Sequence, residues 1–126
     1  MTKYKDNEAY ENDKAKLSKP LPVVRDKNGK PIKDYMPLDW FAKLNEELDE
    51  VKTTWADDGD LDRMEETIEG FKTACICEEL QDLITVCVSC MQYLGYDEKA
   101  RDELCKEVNE KNRRRGYLDD TTVNKN

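Results

Sequence analysis

From residue 41 onward the large apolar side chains recur at steps of three and four. Phe41, Leu44, Leu48, Val51 and Trp55 form one series. Ile76, Leu80, Leu83, Ile84, Cys87, Met91 and Leu94 form a second, and Ala100, Leu104 and Val108 a third. Such steps keep side chains on one side of a helix and do not match the alternation of a strand. Glycine and proline, the residues that most often interrupt helices, number only 5 and 4 in 126, and all four prolines precede residue 38. The expectation is an all-α fold, a helical bundle of three to four main helices per chain. The first helix starts at Leu38 with Asp39 as a cap after a break at Pro37, and Asp57-Asp58-Gly59 ends it. The second runs from near Asp60 towards Leu94, with Gly70 as a point of division and Gly95-Tyr96 as its stop. Asp97 caps the third, and Gly116 stands where a C′ glycine belongs.

The remaining chain divides around this periodic region. Residues 1–37 read as an N-terminal arm, 38–118 as the helical domain and 119–126 as a flexible tail. Pro20, Pro22, Pro31 and Pro37 punctuate the arm. Val23-Val24, the Asn28-Gly29 step and Ile32 allow a short hairpin there, because Asn-Gly suits the positive-φ positions of a tight turn. Pro31 weakens its second strand. No internal repeat is visible. No run of 18 apolar residues exists to span a membrane, and Met1 to Glu11 is too polar for a signal peptide. Five cysteines without a secretion signal read as reduced and cytoplasmic.

Histidine is absent. A Ser-His-Asp triad, a Cys-His dyad, a zinc site with imidazole ligands and the Glu-x-x-His pairs of di-iron bundles are therefore excluded. Chemistry must come from carboxylates, Lys and Arg, Cys, hydroxyls, or a metal held by oxygen or sulfur. Acidic residues outnumber basic ones 29 to 21, a formal net charge of −8, which disfavours nucleic acid as a partner.

The acidic residues are not evenly spread. The first helix carries Glu46-Glu47-Leu48-Asp49-Glu50 and the second Glu78-Glu79-Leu80-Gln81-Asp82. At about 100° per residue, Glu47 and Glu50 share one side of the Leu44/Leu48/Val51 stripe, with Glu46 about 40° further round. Glu79 and Asp82 share a face that continues into Val86, Cys90 and Tyr93. Carboxylates in line with buried apolar groups repel one another unless a positive charge lies between them. A divalent cation with oxygen ligands is the ordinary solution, and Mg²⁺ suits a substrate that brings phosphates. On the third helix Lys111 and Arg115 continue the Ala100/Leu104/Val108 stripe, aimed at the core side where they could neutralise an anion. Together these are the parts that polyphosphate chemistry needs. The competing reading is a solvated acidic face on a plain structural bundle.

Three other patterns are weaker. Asp58-x-Asp60-x-Asp62 with Glu69 imitates an EF-hand loop, but Arg63 stands where the turn needs Gly; an acidic helix start is simpler. Cys75, Cys77, Cys87 and Cys90 suggest a thiolate zinc site, yet along one helix Cys75 and Cys87 are about 18 Å apart. Small buried cysteines in a helix seam are the simpler reading. Arg113-Arg114-Arg115 is too short a run to grip nucleic acid on an acidic chain.

The ordered set Glu46-Glu47-x-x-Glu50, then Glu79-x-x-Asp82, then Asn109-Glu110-Lys111-Asn112-Arg113-x-Arg115 resembles the signature of the all-α nucleoside triphosphate pyrophosphohydrolases, the MazG-like superfamily. The resemblance covers residues 38 to 118, with a long spacer between Val51 and Glu78, and leaves the first 37 residues unmatched. It implies Mg²⁺-dependent conversion of an NTP or dNTP to the monophosphate and pyrophosphate, with Mn²⁺ allowed in place of Mg²⁺. It implies Glu47, Glu50, Glu79 and Asp82 as metal ligands and Glu46 as a ligand or water-orienting base. Lys111, Asn112 and Arg115 would hold phosphates, with Asn109 near the sugar or phosphate. Trp40, Phe41 and Trp55 are available for the base. The resemblance also implies a homodimer or homotetramer, since one chain does not complete the bundle, and it leaves room for a swapped arm. The alternative is a non-catalytic helical module that binds nucleotides or a protein partner.

Overall fold

The computed structural model describes residues 17–56 and 73–119. Among them are three α-helices: α1 (Pro37–Trp55), α2 (Thr73–Tyr93) and α3 (Glu98–Arg114), preceded by a short 3-10 turn at Ile32–Asp34. No strand occurs among the described residues, and the architecture there is all-helical. The EF-hand-like segment Asp58 to Glu69, the expected start of the second helix near Asp60, Gly70, the first 16 residues and the tail beyond Asp119 lie outside the described residues. No described helix is long and apolar enough to cross a membrane.

The start of α1 corrects the sequence expectation. Pro37 is its first residue rather than a break before it, because a proline needs no N–H there and its fixed φ already suits a helix. Asp39 therefore sits inside the first turn, and its carboxylate reaches back to accept the N–H of Met36 at 2.8 Å.

The buried face of α1 is also rotated from the expected one. Trp40, Glu47 and Val51 are buried and Leu44 packs against the core, whereas Phe41, Leu48 and Trp55 are exposed. On α2 the expected continuation of the Glu79/Asp82 face holds for Val86, which is buried, and for Cys90, which packs half-buried against the core. It ends there, since Tyr93 is exposed. Leu80, Ile84 and Cys87, expected in the apolar stripe, are exposed as well. The cysteines do not form a buried seam: Cys75, Cys77, Cys87 and Cys105 are free and exposed, and only Cys90 is partly covered.

Two of the core residues come from before α1. Ile32 and Tyr35 cluster with Trp40 and Val86. The Tyr35 and Trp40 rings meet edge-on, 4.9 Å between centroids at 65°. The chain reaches this position through a tight turn. Gly29 N–H bonds the carbonyl of Asp26, Asp26 N–H bonds that of Lys30, and Ile32 N–H bonds that of Val24, each at 3.0 Å. Only Gly29 of the Asn28-Gly29 pair takes positive φ, at +84°. The expected hairpin is thus a three-residue loop with a single antiparallel bridge, Arg25 to Pro31. Pro31 has no N–H with which to extend a ladder.

The chain divides into two compact units, Met1–Cys90 and Met91–Asn126. In the second, α2 ends with Tyr96 N–H on Met91 and Gly95 N–H on Gln92. The carboxylate of Asp97 caps α3 by accepting from Ala100 N–H at 2.9 Å, as the sequence predicts. The Arg101 guanidinium ties this turn down, donating to Gln92 Oε1 at 2.6 Å and to the Tyr96 carbonyl at 2.8 Å. At the far end of α3, Gly116 at φ +77° lets Tyr117 N–H reach Asn112 and its own N–H reach Arg113. That is the C-terminal capping pattern a left-handed glycine permits.

Candidate metal centre and adjoining cavity

Glu47 is the centre of the site. Helical spacing places it on the same face as Trp40 and Val51, so packing buries it to 8% exposure. Lys43, one turn earlier, approaches its Oε1 at 3.3 Å. Its Oε2 is buried and has no hydrogen-bond partner. Glu79 on α2 also has a buried Oε2 without a partner. Together with exposed Glu50, one oxygen from each carboxylate falls within 4.8 Å of the others. Burial, reinforced by neighbouring Glu50, pushes the Glu47 carboxyl above its usual range, and Lys43 only partly opposes this.

This donor set fits a small divalent cation. All three groups are carboxylates, the class of ligand preferred by Mg²⁺ and Mn²⁺. Two of them offer a buried oxygen that nothing else satisfies, which is costly without a positive partner.

The other predicted acidic residues stand apart from this trio. Glu46 turns to the N-terminal segment, where Lys27 Nζ lies 2.7 Å from its Oε1 and holds its carboxyl below the usual range. Asp82 is exposed and is not in the trio; it lines a neighbouring cavity.

That cavity measures about 240 Å³. Trp40, Ile32 and Val86 supply apolar wall, and Ser89 closes one side. Arg25, Lys27 and Lys43 face it together with Asp26, Glu47 and Asp82. Of the aromatic residues proposed for a base, only Trp40 lines it; Phe41 and Trp55 are exposed elsewhere on α1.

No protein-family model, curated protein or solved structure matches this chain. What the site can do therefore rests on its own residues.

The phosphate-binding candidates lie on α3 and just beyond it, in the second unit. Lys111 and Arg115 are exposed, Asn112 is half-buried, and the Asn109 amide contacts Cys105 Sγ at 3.8 Å. Val108, expected on the buried stripe with them, is also exposed. No residue of α3 is buried, so its stripe does not aim Lys111 and Arg115 into a core within this unit. Arg113 is held by Glu110 at 2.8 Å through Nε, which leaves the three-arginine run less free charge than its sequence suggests.

The sequence shows the turn at Asn28-Gly29 but not the part that residues 23–35 take in the core and the cavity. Ser89, 1% exposed, accepts the Val23 N–H at 2.9 Å and donates to the Thr85 carbonyl at 2.7 Å. Asp26 accepts the N–H groups of Asn28 and Lys30 at 2.9 Å each and the Tyr35 hydroxyl at 2.8 Å. Burial and this hydrogen bond push the Tyr35 hydroxyl up to about 12. The available signal was Ile32 and Tyr35, two large residues three apart between prolines, which a solvated arm would not need.

Proposed function

We infer that the chain is a Mg²⁺-dependent nucleoside triphosphate pyrophosphohydrolase, converting an NTP or dNTP to the monophosphate and pyrophosphate. The observation that carries this reading is the Glu47/Glu50/Glu79 trio, with buried, unpartnered oxygens on Glu47 and Glu79. In this reading those three would hold the ion, which would supply charge neutralisation and lower the pKa of a bound water. Asp82 would support that ion from outside the trio, and Glu46 would be a further ligand or orient the attacking water. Trp40 offers an aromatic wall to the base. Lys111, Asn112 and Arg115 take the phosphates, with Asn109 beside them. The roles of Glu46, Asp82 and the α3 residues are taken from the resemblance of the three motifs to the MazG-like superfamily.

The active form is a homodimer or homotetramer. Supporting this, Phe41, Leu48 and Trp55 make an exposed apolar row along α1 at seven-residue spacing, and Leu80 and Ile84 add to the exposed apolar surface of α2. Light scattering after size exclusion tests the assembly, and a monomer at micromolar concentration contradicts it.

The activity is tested by incubating the protein with each canonical NTP and dNTP in Mg²⁺ and identifying products. Monophosphate and pyrophosphate are expected in equal amounts. Stepwise release of phosphate overturns the reaction assignment. Binding without turnover points instead to a non-catalytic nucleotide-binding module.

A further inference from the structure

The N-terminal segment places two cations on the cavity beside the carboxylate trio, and neither belongs to the motifs on the helices. Lys27 and Arg25 both line the cavity that Glu47 and Asp82 also face. Lys27 is carried on the tight turn closed by Asp26, whose carboxylate is fixed by Asn28, Lys30 and Tyr35. The turn is anchored at both ends, by Val23 N–H on Ser89 and by Ile32 and Tyr35 in the core. The backbone that carries these cations is thus fixed before any ligand arrives, while their side chains are exposed and can move to meet one.

The ion pair of Lys27 with Glu46 is 2.7 Å long but largely exposed, 67% and 36% for the two side chains. Pairs of that kind contribute little and exchange readily. Lys27 also feels the negative charge of Glu47 and Glu50. When a divalent ion balances the trio, that attraction weakens, and Lys27 and Arg25 are left facing the cavity as anion-binding groups.

We propose that Lys27 and Arg25 are substrate-binding residues that grip the polyphosphate of a metal–nucleotide complex, and that the Lys27–Glu46 pair is the resting contact which the polyphosphate replaces. This rests on the pyrophosphohydrolase reading for the metal, and it adds a second source of phosphate contacts, from the segment preceding α1. Release of Glu46 by the same exchange frees its carboxylate for the water-orienting role.

The test measures two affinities on the full chain by calorimetry: Mn²⁺ alone, and tripolyphosphate in saturating Mg²⁺. Lys27→Gln and Arg25→Gln are each expected to weaken tripolyphosphate about tenfold, as loss of a charge-assisted hydrogen bond does. Lys27→Arg is expected to retain most of the affinity. Mn²⁺ binding should be unchanged or tighter in Lys27→Gln, since a cation has left the acidic site. Lys33→Gln removes a charge from the same segment outside the cavity and should have no effect. Unchanged tripolyphosphate affinity in both Gln variants overturns the proposal, as does an equal loss in Lys33→Gln or failure of the unaltered chain to bind tripolyphosphate. Mn²⁺ binding that is lost in Glu79→Gln supports the metal centre whatever those variants do, so the two readings can fail separately.

Discussion

Lys43 reaches Glu47 across one turn of α1, at 3.3 Å, and satisfies only one of its two carboxylate oxygens. The pair is an incomplete neutralisation: a buried carboxylate keeps one oxygen unpartnered next to two more acids. That imbalance is what a metal would correct, and it makes metal binding and folding stability depend on pH together.

Glu47 has its carboxyl raised by burial, so the folded chain binds this proton more tightly than the unfolded one does. Stability from this group is therefore highest below the usual carboxylate range and declines as pH rises through the raised folded value. A cation bound at the trio reverses the sign, because it favours the ionised form. Thermal unfolding should show a Mg²⁺-induced gain in Tm that is large at pH 7.5 and small at pH 4.5. Glu47→Gln should raise Tm in chelator and abolish the Mg²⁺ gain. An equal Mg²⁺ effect at both pH values, or none at either, contradicts this.

Trp40 is 3% exposed and joins Tyr35 and Ile32 from the preceding segment to Val86 of α2. The buried apolar set among the described residues is small, so each member counts. Trp40→Ala should cost about 3–5 kcal/mol, the usual range for a buried aromatic. Against a typical total of about 5–15 kcal/mol, that is enough to lower the urea midpoint severely or remove the cooperative transition. Phe41→Ala, on the neighbouring but exposed position, should change the monomer's stability by less than about 1 kcal/mol.

That contrast between Trp40 and Phe41 also shows where the sequence was legible. Helix existence, the Asp97 and Gly116 caps and the inward course of Glu79 towards Val86 follow from local chemistry and spacing, and the structure has them. The face of α1 was misread for a physical reason. Residues 41, 48 and 55 and residues 40, 44 and 51 both make apolar rows, and the row that is buried has Glu47 in its middle. Counting apolar residues selects against a buried acid, although that acid is the feature the site is built on. The core role of Tyr35 was hidden differently, since it depends on contacts with Trp40 and Val86 that no local period encodes. Asp82 illustrates a third limit: it lies three residues from Glu79 and lines the cavity with Glu47, yet it is not in the trio.

Ser89 links α2 to the N-terminal segment through the Val23 N–H. Ser89→Ala leaves that donor without its acceptor, at a cost of about 1–3 kcal/mol. The Thr85 carbonyl loses a second bond only, because it sits inside the helix. Hydrogen exchange should report the loss locally, with the Val23 amide exchanging faster while amides in the middle of α2 are unchanged. Uniform acceleration along α2 would mean that Ser89 supports the helix rather than the segment.

Glu79 and Asp82 are nearly interchangeable in sequence pattern but not in position. Glu79 is half-buried with one oxygen unpartnered, and it shares the 4.8 Å group with Glu47 and Glu50. Asp82 is exposed on the cavity. Glu79 would be a direct ligand of an ion held by the trio, and Asp82, outside that group, would be an outer one. Removing a direct carboxylate ligand should cost more metal affinity than removing an outer one, although outer partners also matter by roughly 10–100-fold. Glu79→Gln should therefore weaken Mn²⁺, read by electron paramagnetic resonance, by more than 100-fold, and Asp82→Asn by about 10-fold. With substrate present the gap should narrow if Asp82 takes up the metal there. Equal losses without substrate would make Asp82 a full ligand and shift the metal towards the cavity.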